Sequence, residues 1–375
     1  MNAILKTMTT RLIALSLLAG LCAIACQNPP STHKSPAKPW AMSGFERLDD
    51  SNPVLTPGDG TFRCPIRQDV VKWEEKDVFN PAAVVRDGKL HLIYRAEDTV
   101  GKYAGTSRLG LAISDDGVHF ARLGEPVFYP GNDSMKIYEW EGGVEDPRLV
   151  ESEDGRYIMT YTSYDGKTAR LCLASSTDLR HWQKHGLVLG YGKYRDTWSK
   201  SGAIVCRRDG NRLIATPIDG RYWMYWGDTD IFAATSPDLI HWQPVEDDSG
   251  RLVKVISPRP GRFDCQLVEP GPPPLLTRDG IVFIYNSRNL DTGGAPDLPP
   301  GTYTAGQVLL DKNDPVKVLD RLNDYFFKPE RDYEITGQVG NVCFLEALVP
   351  FRGQWFLYYG TADSKIAVAV CKLAE

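Results

Sequence analysis

The chain alternates short apolar runs with polar turns, and helical spacing of apolar residues is nearly absent. Runs rich in β-branched and aromatic residues fall at 90–94, 157–161, 212–215, 281–285 and 355–359. Each follows a turn signal: Asp87-Gly88, Asp154-Gly155, Asp209-Gly210, Asp279-Gly280 and Gly353. Asp-Gly supplies the positive-φ positions that a tight hairpin needs. A second element recurs behind each hairpin. Segments 110–120, 171–182 and 231–242 share a small-residue strand, a Ser/Asp turn and a closing His-Phe or His-Trp, with weaker echoes at 305–311 and 365–370. This pattern predicts an all-β fold. Five repeats of about 66 residues, each of several short strands, predict a five-bladed β-propeller with four strands to a blade.

The same repeat logic predicts a site. The first strand of each propeller blade lines the axis, so equivalent positions at its start form one ring. Those positions hold Asn80, Asp146, Lys200, Glu269 and Asn341. Turn capping beside Pro or Gly explains any one of them. Five polar residues in register predict a polar pocket on the axis.

The first residues read differently. Lys6 and Arg11 flank the start of an apolar run, 12–24, which ends in Ala23-Ile24-Ala25-Cys26. The run is short for a membrane span and closes on small residues, as a cleaved export signal does. It predicts a lipoprotein signal over 1–26 with lipidation at Cys26, plain cleavage after Ala25 being the competing reading. Residues 27–44, rich in Pro, Ser and Lys, then form a tether, and 45–375 the propeller. The expected location is the periplasm or cell surface, lipid-anchored.

Composition narrows the chemistry. At 42% hydrophobic residues the chain is too apolar for general disorder. Lys and Arg number 43 against 48 Asp and Glu, and removing 1–26 takes two bases and no acid. This acidic balance argues against nucleic acid as a partner. Nine Trp, 17 Tyr and 13 Phe suit stacking on sugars, and equally a β-sheet core. Cys64, Cys172, Cys206, Cys265, Cys343 and Cys371 are scattered without C-x-x-C spacing, so zinc is not expected. Cys172, Cys206, Cys343 and Cys371 lie in apolar runs and read as buried thiols. His181 and His241 occupy equivalent repeat positions and read as structural. No Ser-nucleophile elbow and no phosphate-cradling Gly loop is present, and neither metal nor cofactor is expected.

Phe79-Asn-Pro-Ala82, Tyr94-Arg-Ala96, Gly143-Val-Glu-Asp-Pro-Arg148 and Tyr359-Gly-Thr-Ala-Asp363, in that order, resemble glycoside hydrolase family 130. That family holds β-mannoside phosphorylases and β-mannosidases on five-bladed propellers. The resemblance implies that Asp146 is the general acid, acting through a sugar hydroxyl, and that Asn80, Arg95, Lys200 and Asp363 hold the sugar. Asn341 and Tyr285 are counted with this sugar-binding set. Arg148 is expected to orient the acidic ring, with Glu145 keeping Arg148 in place. One stretch departs from the phosphorylase pattern: Leu267-Val-Glu-Pro-Gly-Pro-Pro273 carries a carboxylate where they carry a basic run, and Asn286 follows Tyr285 where they tend to have a phosphate-contacting His. A site that loses cations and gains Glu269 is badly built for a phosphate dianion. The resemblance is therefore to the hydrolytic branch, active on β-1,2-linked mannosides. An inverting hydrolase needs an acid and a base roughly 6.5–9.5 Å apart. Asp146 and Glu269, in non-adjacent blades, are the expected pair, with Asp228 a rival base. Trp223, Tyr225 and Trp226 are candidates for the leaving-group side. The alternatives are a phosphorylase releasing mannose 1-phosphate and a mannan-binding lipoprotein without catalysis.

Overall fold

In a computed structural model of the chain, which describes residues 38–373, each turn signal falls between antiparallel strands. Asp87 and Gly88 take φ of 52° and 72° between Asp77–Arg86 and Lys89–Glu97. Arg352 and Gly353, at 48° and 77°, do the same between Cys343–Phe351 and Gln354–Thr361. The primed turn matches the right-handed twist of the strands it joins.

From these hairpins grow five antiparallel runs. The first is Asp77–Arg86, Lys89–Glu97, Ser107–Ser114 and Ala121–Arg122, and the second Gly143–Glu151, Tyr157–Tyr164, Ala169–Ser176 and Gln183–Leu187. The third is Ala203–Ile204, Tyr222–Trp226, Ile231–Ser236 and Gln243–Pro244. The fourth pairs Leu267–Pro270 and Leu275–Leu276 with Ile281–Arg288, followed by Tyr303–Leu310 and Val318–Arg321. The fifth is Cys343–Phe351, Gln354–Thr361 and Lys365–Lys372, completed by Glu46–Arg47 from the other end of the chain. The fold is all-β, the two helices among the described residues, Lys136–Glu139 and Asp332–Ile335, being single turns. Among the described residues, hydrogen bonding joins 15 strands in one sheet beside sheets of five, four and two, and forms no closed sheet.

Two expectations about the chain's organisation change. The Asp209-Gly210 hairpin, Cys206–Asp209 with Arg212–Ala215, is not the inner pair of the third run; it reaches sideways to Glu151 and Leu275, and Tyr222–Trp226 takes the second position. The expected signal, Cys26 and most of the 27–44 tether lie outside the described residues, but residues 38–44 are no free tether. Trp40 Nε1 donates to Asp320 at 2.9 Å, and Met42 exchanges two backbone bonds with the Gln307 amide, at 2.9 and 2.8 Å.

The runs pack through both faces, so inner strands are buried at nearly every residue, as in Ala169–Ser176. Among the described residues the six cysteines are free, and Cys172, Cys206, Cys343 and Cys371 are buried. His119, His181 and His241 each bond, through Nδ1, an Asp three residues earlier in the repeated turn, at 2.8, 2.7 and 2.7 Å.

Candidate active site

The inner strands do not run straight at the level where the ring was expected. Asn80 bulges out of register between Phe79 and Pro81, and Asp146 lies in the break between Glu145 and Arg148. Both take left-handed backbones, φ 47° and 51°, as do Ser201 at 57° and Asp363 at 49°. Pro cannot continue the ladder, and Asn and Asp tolerate this region better than other residues. The bulges turn side chains inward. Gly360 makes room, since a Cβ there would fall 2.2 Å from Asn80 Oδ1.

Asn80, Arg95, Asp146, Lys200, Glu269 and Asp363 thereby line one pocket, walled by Phe79, Tyr303 and Phe344. Asn80 Nδ2 donates to Asp146 Oδ1 at 2.9 Å, and Arg95 Nη1 to the same oxygen at 3.0 Å. Arg95 Nη2 reaches Glu97 at 2.7 Å and Glu145 at 3.1 Å, with the guanidinium 4.5 Å above the Phe79 ring. Lys200 Nζ stands 3.6 Å from Asp146 Oδ2 and 3.6 Å from Glu269 Oε1. The two carboxylate oxygens are thus separated by no more than twice that distance, a ceiling that reaches into the inverting range of roughly 6.5–9.5 Å. Ser201 Oγ donates to Glu269 Oε1.

Burial alone would raise the Asp146 pKa, but the charges of Arg95 and Lys200, with the Asn80 amide, hold it well below the usual carboxylate range. Burial pushes Glu145 up to about 7 against the pull of Arg95, and Asp363 likewise to about 7. Glu269 is also raised by burial, with Lys200 opposing. Lys200 keeps its proton, because Glu269, Asp146 and Glu145 together outweigh its desolvation. In the protein alone, the Asp146 carboxyl is thus held down by its cationic neighbours, while burial raises that of Glu269.

Four expected site residues sit elsewhere. Asn341 is in a turn, partly exposed, its backbone bonding Ile335 and Tyr303; it does not line the pocket. The residue that bulges inward on the fifth run is Glu346, between Leu345 and Ala347. Tyr285 is fully buried and points away, its hydroxyl on Asp264 at 2.8 Å and Arg321 at 3.0 Å, because the strand's alternation turns Asn286 the other way. Asn286 clasps Leu345 through both its backbone groups. Asp228 does not line the pocket; its carboxylate takes the Trp198 indole N–H at 2.7 Å. Arg148 lies beneath the pocket, and Glu145 pairs with Arg95 rather than with it. Of the rings expected on the leaving-group side, Tyr225 and Trp226 are buried in two different cores, and Trp223 packs against the one that holds Tyr225.

Sequence reasoning missed Glu346 and Ser201. Glu346 is 0% exposed, 3.0 Å from Arg148 Nη2, and burial raises its pKa well above the usual range. Its signal was a lone Glu inside the apolar run 343–349, since such a residue is almost never buried unless paired. Among the described residues no group of three His, Cys, Asp or Glu is placed to hold a metal ion.

A pocket of paired carboxylates beneath an all-β frame is the kind of site in which glycosidic bonds are cleaved. The profile of glycoside hydrolase family 130, described as β-1,4-mannooligosaccharide phosphorylase, matches residues 54–375. The chain belongs to that family. It is 34% identical over 343 residues to a 1,2-β-oligomannan phosphorylase of Thermoanaerobacter sp. (strain X514), covering 89% of this chain and 99% of the relative. A glycosyl hydrolase from Bacteroides ovatus is 44% identical with a TM-score of 0.88, over 90% of this chain and 96% of that one. A second solved structure, with the same identity, score and coverage, is described in the words that family 130 contains glycoside hydrolases that target β-1,2 mannosidic linkages in Candida mannan.

Proposed function

We propose that the protein hydrolyses β-mannosides, β-1,2-linked manno-oligosaccharides in particular, with inversion at the anomeric carbon. The observation that carries this reading is the charge balance of the pocket. Its two lining cations are already engaged, Arg95 by Glu97, Glu145 and Asp146, and Lys200 by Asp146 and Glu269. Three carboxyl groups line the pocket, Asp146 held ionised among them, and a phosphate dianion entering there finds no unpaired cation among the lining residues to receive it. Relatives named phosphorylases stand at 21% to 34% identity, while four solved structures described as glycosidases or glycoside and glycosyl hydrolases stand at 44% to 46%, which supports the same side.

In this reading Asp146 delivers the proton to the leaving oxygen through a sugar hydroxyl, and Glu269, oriented by Ser201, deprotonates the attacking water. Both roles require substrate to rearrange the charges around Lys200 and Arg95. Products of β-1,2-mannobiose are the test. Phosphate-free buffer should yield mannose alone, and added phosphate should neither speed cleavage nor produce a sugar phosphate. Glu269→Gln should abolish hydrolysis, with azide restoring part of the cleavage in place of activated water. Mannose 1-phosphate from the wild type would establish phosphorolysis instead.

We read the five runs as blades of a five-bladed propeller. What supports this is that one pocket draws Asn80 and Arg95 from the first run, Asp146 from the second, Glu269 from the fourth and Phe344 from the fifth, with Lys200 entering the third. We also propose lipid anchoring at Cys26 and a periplasmic or surface location. Cys26→Ser should release the protein from the membrane fraction, and unchanged association would end that proposal.

A further inference from the structure

With Trp223, Tyr225 and Trp226 committed to the core, the leaving-group side is left without its expected rings. Another ring belongs to the segment that carries Lys200 into the pocket. Trp198 lies two residues before Lys200 and is 47% exposed. Its Nε1 donates to Asp228 Oδ2 at 2.7 Å, and Gly227 N donates to the Lys200 carbonyl at 2.9 Å. These bonds lace 198–200 to 227–228, and the charge of Asp228 acts on both Lys200 and Glu269.

The indole is braced as well as tethered. Tyr164 meets it edge-on at 6.3 Å and 66°, and Tyr103 meets Tyr164 at 6.1 Å and 62°. Both tyrosines are seated on glycines: a Cβ on Gly142 would fall 2.3 Å from the Tyr164 ring, and one on Gly166 2.2 Å from Tyr103. So a large aromatic is fixed in orientation by a hydrogen bond and a supporting row, yet about half of it is open to solvent. Core packing does not explain that arrangement. The C–H face of a pyranose is apolar and packs on such a ring, while its hydroxyls stay at the polar rim.

We propose that Trp198 is the aromatic face of the subsite that holds the leaving-group sugar. It would set the preference for an oligosaccharide over a lone mannosyl group; the proposal rests on the glycosidase reading above. The test compares kcat/KM on β-1,2-mannobiose with kcat/KM on β-mannosyl fluoride, whose leaving group is a single atom. The ratio of the two does not depend on the fraction of enzyme folded. Trp198→Ala should lower the ratio about tenfold, the scale of one good aromatic contact. Trp198→Phe, which keeps a ring but loses the N–H, should retain most of it. An unchanged ratio in Trp198→Ala overturns the proposal and leaves the glycosidase reading standing. Equal losses in both variants place the effect in the bond to Asp228 and overturn it too. A wild type that turns over neither substrate removes the glycosidase reading, and the subsite with it.

Discussion

Asp363 combines a left-handed backbone, φ 49°, with a carboxyl that burial lifts to about 7 despite partial relief from Arg95. An unfolded Asp titrates near 3.9, so the folded state binds this proton more tightly. The resulting stability is present below the unfolded value and is lost as pH rises through the folded one, toward 7. Asp363→Asn removes the ionisation. The variant's gain in Tm over wild type should grow from about pH 4 to 7 and level off above, reaching a few degrees, while cleavage falls. Calorimetry at acid, intermediate and alkaline pH checks this; an equal gain at all three would place the effect in something other than titration. Asn80, Asp146, Lys200 and Glu269 were legible in the sequence because the repeat puts them in register beside turn residues, whereas Arg95 and Asp363 were legible only through the motifs that resemble the family. Their protonation was not, since it depends on charges that meet only after folding: nothing around Asp146 in sequence shows that Arg95 and Lys200 will hold it ionised.

Between elements, Arg148 does most of the joining. Its Nε donates to the Gly271 carbonyl at 2.8 Å, Nη2 to that of Pro270 at 2.6 Å and Nη1 to that of Asp146 at 3.2 Å, with Glu346 Oε1 at 3.0 Å. One guanidinium thus ties the turn that carries Asp146 to the turn that carries Glu269, and both to the fifth run. Removing it strands a buried carboxyl, which costs about 3–5 kcal/mol when one partner of such a pair is lost. Arg148→Met should therefore lose stability on that scale in urea unfolding. Arg148→Met with Glu346→Leu should recover much of the stability, since an apolar pair can replace a buried ion pair. Turnover should stay down about 100-fold or more, because nothing then fixes the spacing of the two turns. Recovery of turnover together with stability would show that Arg148 only neutralises Glu346. The sequence placed Arg148 in an orienting role but gave its partner as Glu145. Repeat register points to Asn341, at the start of the fifth repeat's first strand, as the inward residue there. The actual bulge at Glu346 has no Pro or Gly beside it, so no local rule writes it. The Asp209-Gly210 signal failed the other way. It made the hairpin it promised, but neighbouring edges at Glu151 and Leu275 drew that hairpin out of the third run.

At the scale of the whole molecule, the chain's early residues finish its last sheet. Glu46–Arg47 pairs with Ala369 and Val370, and the Asn52 amide holds both backbone groups of Val368, at 2.8 Å each. Arg47 donates to buried Glu334 and to the Lys328 carbonyl, both at 2.6 Å, while Trp40 and Met42 fasten to the fourth run. The contacts of Trp40 and Met42 ahead of the expected boundary at 45 come from single side chains and backbone groups in a Pro- and Ser-rich stretch, which no periodicity announces. Without this strap of early residues, Lys365–Lys372 becomes an open edge strand of almost wholly buried residues, and an unpaired apolar edge recruits other chains. Glu334, 0% exposed, would keep the Tyr359 hydroxyl at 2.8 Å but lose its guanidinium. A chain beginning at residue 38 should melt with the full-length protein, since every one of these contacts is retained. A chain beginning at residue 56 should melt several degrees lower and associate as its concentration rises, which light scattering will detect. If the chain beginning at residue 56 melts with the one beginning at 38 and stays dispersed, the strap closes nothing, and the fifth run is stable on three strands.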